Sequence, residues 1–73
     1  MPLSPLPFRT VKRKLEAAGH SVARQEGSHI KFVLVTPTGV RTAIVPRHRE
    51  VTTGTLRSIP RQTGITVDEW LAL

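Results

Sequence analysis

Seventy-three residues make one domain near the lower limit of what folds alone, a size that buries only about 60% of the surface its unfolded chain exposes. The absence of cysteine excludes disulfides and thiolate metal ligands, and no apolar run approaches the roughly 18 residues a membrane span requires. Eleven Lys and Arg against five Asp and Glu give +6, and residues 1–65 alone carry eleven cations against three carboxylates, a balance that points to a polyanion, most often nucleic acid.

With one Trp, two Phe and no Tyr, a base-stacking platform of the single-strand-binding kind is disfavoured. Residues 1–7 read as a Pro-rich lead-in, without the basic start and long apolar core of a signal peptide, so the chain is expected to stay in the cytoplasm. Phe8, Val11, Leu15 and Ala18 repeat with helical period, which predicts a helix over 8–18 stopped by Gly19. Arg9, Lys12, Arg13 and Lys14 fall beside that stripe and read as a solvated face that could also touch phosphates.

Residues 20–46 are expected to form a three-stranded sheet. A short, mixed edge strand over 20–25 leads through a turn at Glu26-Gly27-Ser28 into a strongly β-branched strand over 29–36. Thr36-Pro37-Thr38-Gly39-Val40 matches a three-residue hairpin with a glycine bulge, followed by a strand over 40–46. If Thr36 faces Val40, then Phe32 faces Ile44 and His29 faces Arg47. Ile30, Phe32, Leu34, Thr42 and Ile44 would then line the core, with His29, Lys31 and Arg47 converging on the open face beside His48.

A second helix is predicted over 53–63, capped by Thr52 or Thr53 and ended by Gly64, with Pro60 expected to kink it or end it early. Thr66-Val67-Asp68-Glu69 is a capping box for a short helix over 66–72, with Ile65 and Trp70 placed as a hydrophobic staple. Trp70, Leu71 and Leu73 are expected to close one end of the core. The order is α-β-β-β-α plus a terminal turn of helix. An α+β fold, a three-stranded antiparallel sheet with two helices on one face, satisfies it.

The three histidines, His20, His29 and His48, match no metal-ligand spacing, and no cofactor motif is present. A lone turn histidine is ordinarily structural, but one beside Lys31, Arg47 and His48 sits where a phosphate would be drawn. RNA carries its own nucleophile, the 2′-hydroxyl. Cleaving it takes a base, an acid and cationic charge, with no metal required. Ser28 could bond a phosphate or cap the turn, and Lys31 and Arg47 could bind the scissile phosphate or be ordinary outward residues. His48 could be a second acid–base group or a surface turn residue, and Gly27 allows a tight turn and close backbone approach.

Several stretches together resemble the HicA-type toxins, small mRNA interferases of bacterial toxin–antitoxin pairs. They are Leu15-Glu16-Ala17-Ala18-Gly19, Gly27-Ser28-His29, Val45-Pro46-Arg47-His48, Gly54-Thr55-Leu56-Arg57-Ser58-Ile59 and Arg61-Gln62-Thr63-Gly64, spread over about residues 8–71. The resemblance implies a double-stranded-RNA-binding-domain-like fold and metal-independent endoribonuclease activity, with His29 as the catalytic acid–base residue. It also implies a HicB-type antitoxin that occludes the site, the toxin being monomeric when free and part of a larger complex with its antitoxin. Pro60 and His20 depart from the aliphatic and apolar or aromatic residues usual at their places, and both concern packing. The rival readings are a non-catalytic basic RNA-binding module and a protein-interaction domain for an acidic partner.

Overall fold

The computed structural model describes residues 3–73; the first two residues of the lead-in, Met1 and Pro2, lie outside them. A two-residue strand β1 (Leu6–Pro7) precedes helix α1 (Phe8–Ala17). Strands β2 (Ser21–Glu26), β3 (His29–Thr36) and β4 (Gly39–Pro46) follow, then a second two-residue strand β5 (Glu50–Val51) and helices α2 (Thr53–Thr63) and α3 (Val67–Ala72). The fold is α+β, and the three long strands form an antiparallel sheet in the order β2-β3-β4. Val11 and Leu15 of α1, Ile30 and Phe32 of β3, Ala43 and Val45 of β4, and Leu56 and Ile59 of α2 form one buried cluster with Val51 and Trp70. Both main helices therefore cover the same face of the sheet.

The β3–β4 register differs by one residue from the expectation. Thr36 pairs with Gly39 around the two-residue turn Pro37-Thr38, so Phe32 faces Ala43 and His29 faces Pro46. Gly39 takes φ 149° rather than the αL conformation of a bulge, and Thr36 Oγ1 donates to its carbonyl at 2.9 Å. A slip of one residue turns every β4 side chain over. Ala43 and Val45 point into the core, while Ile44, expected inside, is 50% exposed. The physical reason is packing: small Ala43 lets α2 approach β4 closely, and Thr42 keeps its hydroxyl out of the core. The Ile44 N–H is then free on the outer edge of β4, where it donates to Gln62 Oε1 of α2 at 2.9 Å. That bond seals the edge of the sheet.

Helix α2 does not end early at Pro60 but runs to Thr63, where Gly64 (φ 79°) closes it with its N–H on the Pro60 carbonyl at 2.9 Å. Burial of Leu56, Ile59 and Thr63 on the core side outweighs the N–H that proline removes. Helix α3 has its capping box: Glu69 N–H donates to Thr66 Oγ1 and Thr66 N–H to Glu69 Oε1, each at 3.1 Å. These bonds to Thr66 hold the Glu69 carboxyl below the usual carboxylate range. Trp70 is buried and Leu73 packs against the core, whereas Leu71, expected to help close it, is 39% exposed and outside the core cluster.

Lys14 does not belong to a solvated face. It is 8% exposed, and its Nζ donates to the main-chain oxygens of Trp70 and Leu73, both at 2.9 Å. The ammonium also lies 5.4 Å from the centre of the Trp70 ring, a cation–π contact. It thereby adds a charged donor at the end of α3, where the Trp70 carbonyl also accepts the Leu73 N–H at 3.2 Å. Burial, with neighbouring Arg13 adding to it, holds Lys14 below the ordinary lysine range.

One further pairing was not anticipated. Leu6 pairs with Val51 and Pro7 with Glu50, so β1 and β5 clip the segment before α1 to the segment before α2. His20, beyond Gly19, is only 3% exposed, and neither ring nitrogen has a hydrogen-bond partner. Burial keeps its imidazole below the ordinary histidine range, an effect the nearby Leu15 carbonyl only partly offsets.

Candidate functional site

The Gly27-Ser28 pair is a two-residue turn joining Glu26 to His29, which face each other across β2 and β3. Gly27 takes φ 57° and Ser28 a negative φ, the pattern of a hairpin turn with glycine at its first central position. A Cβ at Gly27 would meet nothing within 4 Å, so glycine serves the backbone conformation here and not a close approach. Ser28 is exposed, and its carbonyl accepts the N–H of Arg47. That bond extends the β3–β4 pairing one step past Pro46.

Side chains alternate across β3, so His29 and Lys31 share the face opposite Ile30 and Phe32. A register shift between Val22 and Arg24 rephases β2, bringing Arg24 opposite Lys31 and Glu26 opposite His29. Arg24, Glu26, His29, Lys31 and Ile44 together line a shallow cavity of about 70 Å³ on the uncovered face. Arg24 and Glu26 form an ion pair there. Glu26 is the residue that reading the sequence missed. Taking Glu26 as a turn residue hid its position, and a two-residue Gly27-Ser28 turn would have placed it directly across from His29.

Arg47 and His48 do not join this cluster. With Val45 inward and Pro46 opposite His29, Arg47 turns to the helix side, where it lines a recess of about 320 Å³ with Phe8, Arg9, Lys12, Gln25 and Ile30. It also lines an adjoining cavity of about 720 Å³ with Phe8, Arg9, His48, Arg49 and Glu50. The expected group is therefore divided: His29 and Lys31 on the open face, Arg47 and His48 in a groove behind the turn. Gly27-Ser28 stands between them. Among the described residues no group of three or more His, Asp or Glu side chains is placed to hold a metal ion.

A comparison against known families finds a match. The model of the HicA toxin of bacterial toxin–antitoxin systems matches residues 8–65. The chain belongs to the HicA toxin family. The match takes in α1, the whole three-stranded sheet, the Gly27-Ser28-His29 turn and α2, and leaves α3 outside it. No curated protein and no solved structure matches the chain. As a toxin of a toxin–antitoxin system it has an antitoxin as its counterpart. No helix among the described residues is long and apolar enough to cross a membrane.

Proposed function

We propose that this toxin is a metal-independent endoribonuclease that cuts mRNA in the cytoplasm, with His29 exchanging the protons. The observation that carries the reading is an exposed histidine on an uncovered sheet face, flanked by Lys31 and Arg24 and facing Glu26. In the reaction the 2′-oxygen attacks the adjacent phosphorus. The O2′–P bond forms, the P–O5′ bond breaks, a base takes the 2′-hydroxyl proton and an acid supplies one to the departing 5′-oxygen. An imidazole suits that exchange near neutral pH, and Lys31 supplies positive charge for the phosphorane oxygens. Glu26 faces His29 across the strand pair, its carboxylate held by Arg24.

Gly27 and Ser28 present the turn to the strand, and Arg47 and His48 contact the RNA from the groove side. A HicB-type antitoxin silences the toxin by covering the open face, converting a free monomer into a larger complex. Incubating synthetic RNA with the protein in EDTA tests the reading. Wild type is expected to cut, and His29→Ala to lose cleavage while still binding RNA. Equal cleavage by His29→Ala overturns the assignment. Salt-dependent RNA binding by wild type without any cleavage favours the non-catalytic binding module instead.

A further inference from the structure

The groove behind the Gly27-Ser28 turn is chemically unlike the rest of the surface. Four permanent cations meet there from two separate parts of the chain: Arg9 and Lys12 from α1, Arg47 and Arg49 from the segment after β4. Among the described residues none of the four is in an ion pair, and Glu50 at the rim is the single carboxylate lining either cavity. Converging like charges repel, so folding alone gains nothing from the arrangement; an anion would relieve it. The β1–β5 pairing holds the two cationic segments side by side.

The floor of the groove is aromatic. Phe8 is half-buried and lines both cavities, its ring held against Phe32 with centroids 6.3 Å apart and planes tilted by 39°. The first turn of α1, to which Phe8 and Arg9 belong, has neither an acidic residue nor a side-chain cap. Cations around a fixed aromatic ring fit a phosphate chain whose bases are unstacked, which is the form of single-stranded RNA. A duplex keeps its bases stacked and could not offer one to Phe8.

We infer that the groove formed by Phe8, Arg9, Lys12, Arg47 and Arg49 is a second binding site for single-stranded RNA, anchoring the strand that leads to His29. The inference takes His29 as the cutting residue from the reading above. Arg47 is the link, because its main chain is bonded to Ser28, one residue from His29. The phosphates held by Arg9, Lys12 and Arg49 lie outside the reacting pair of nucleotides and would supply affinity, not chemistry. One aromatic floor takes a single base, so in a chain whose aromatic content disfavours a stacking platform the affinity rests on the cations.

Full-length His29→Ala protein and a labelled 12-nucleotide oligouridine, with binding followed by anisotropy across a salt series, test the inference. Adding Arg9→Glu and Lys12→Glu is expected to weaken binding at least tenfold. It should also flatten the slope of log affinity against log salt by about 1.4, about 0.7 for each phosphate no longer neutralised. Arg57→Glu with Arg61→Glu, the same charge change on α2, is expected to weaken binding less than threefold. Arg49→Glu, a single change in the exposed segment after β4, provides an independent variant should the α1 pair disturb folding, and at least a threefold loss is expected. Equal losses from the α1 and α2 pairs would overturn the inference in favour of net charge alone. Stronger binding of a polyglutamate peptide than of the oligouridine would overturn it in favour of an acidic protein segment. Groove-dependent binding by a wild-type protein that never cuts RNA would support the groove while removing His29 as the cutting residue.

Discussion

The interior of this toxin and its open sheet face each hold one histidine and one lysine, in opposite circumstances. Inside, Lys14 spends its charge on two main-chain oxygens and the Trp70 ring, and His20 is enclosed with neither nitrogen bonded. Outside, His29 and Lys31 stand side by side next to Arg24 and Glu26, with no helix over them. The difference teaches that residue type assigns no role by itself. A buried cation is committed to the fold, and a buried unpaired imidazole is held neutral by its surroundings. The same groups on an uncovered face are free to meet a phosphate.

Exchanging the two histidines' fates should give the largest effect. His29→Ala is expected to lower RNA cleavage by about 10²–10⁴-fold, the usual span of general acid–base catalysis, with an unchanged unfolding midpoint. His20→Phe is expected to leave cleavage intact. A His20 variant that loses cleavage without losing stability would break the comparison. The next effect belongs to the lysines. Lys14→Met should cost about 1.5–3 kcal/mol in urea unfolding, since two hydrogen bonds from a charged donor disappear. Lys31→Met should cost less than about 0.5 kcal/mol, as expected of a surface change.

The two faces of β4 offer a third test, and it bears on register. Ala43→Leu should overpack the space beneath α2 and cost about 1–3 kcal/mol. Ile44→Thr should change stability by less than about 0.5 kcal/mol. The smallest effect is pH dependence from His20. Its folded pKa lies below the unfolded value, so the unfolded chain binds more protons on acidification. Stability is full above about pH 6.5 and falls as the pH drops from there towards the folded pKa. Urea midpoints measured at pH 7.5 and 5.5 should therefore differ more for wild type than for His20→Phe.

Much of this is readable in the chain. The helix boundaries follow from Gly19, Gly64 and the Thr66–Glu69 box, because caps are local and their chemistry is written in adjacent residues. The placement of His29 and Lys31 on the open face also follows, since alternation along one strand needs no partner. Errors begin where a partner is needed. Reading Gly39 as a bulge shifts the hairpin by one residue and carries Arg47 to the wrong face. Lys14 reads as solvated because its position beside the Val11–Leu15 stripe does not reveal that α3 returns to meet it. The β1–β5 pair is too short to leave any periodicity, and Glu26 is hidden by an overlong turn.

That two-residue pair has a bearing on the order in which the toxin assembles. Leu6 and Val51 are distant in the chain, and closing so long a loop is entropically unfavourable until the intervening sheet has formed. The adjacent hairpins, by contrast, close through two-residue turns. During synthesis the groove that brings Arg9 beside Arg47 and Arg49 therefore cannot exist before Val51 has left the ribosome. The hairpin bearing His29 can form before that. A nascent chain would thus hold the His29 hairpin before the β1–β5 pair, and the groove it frames, can form.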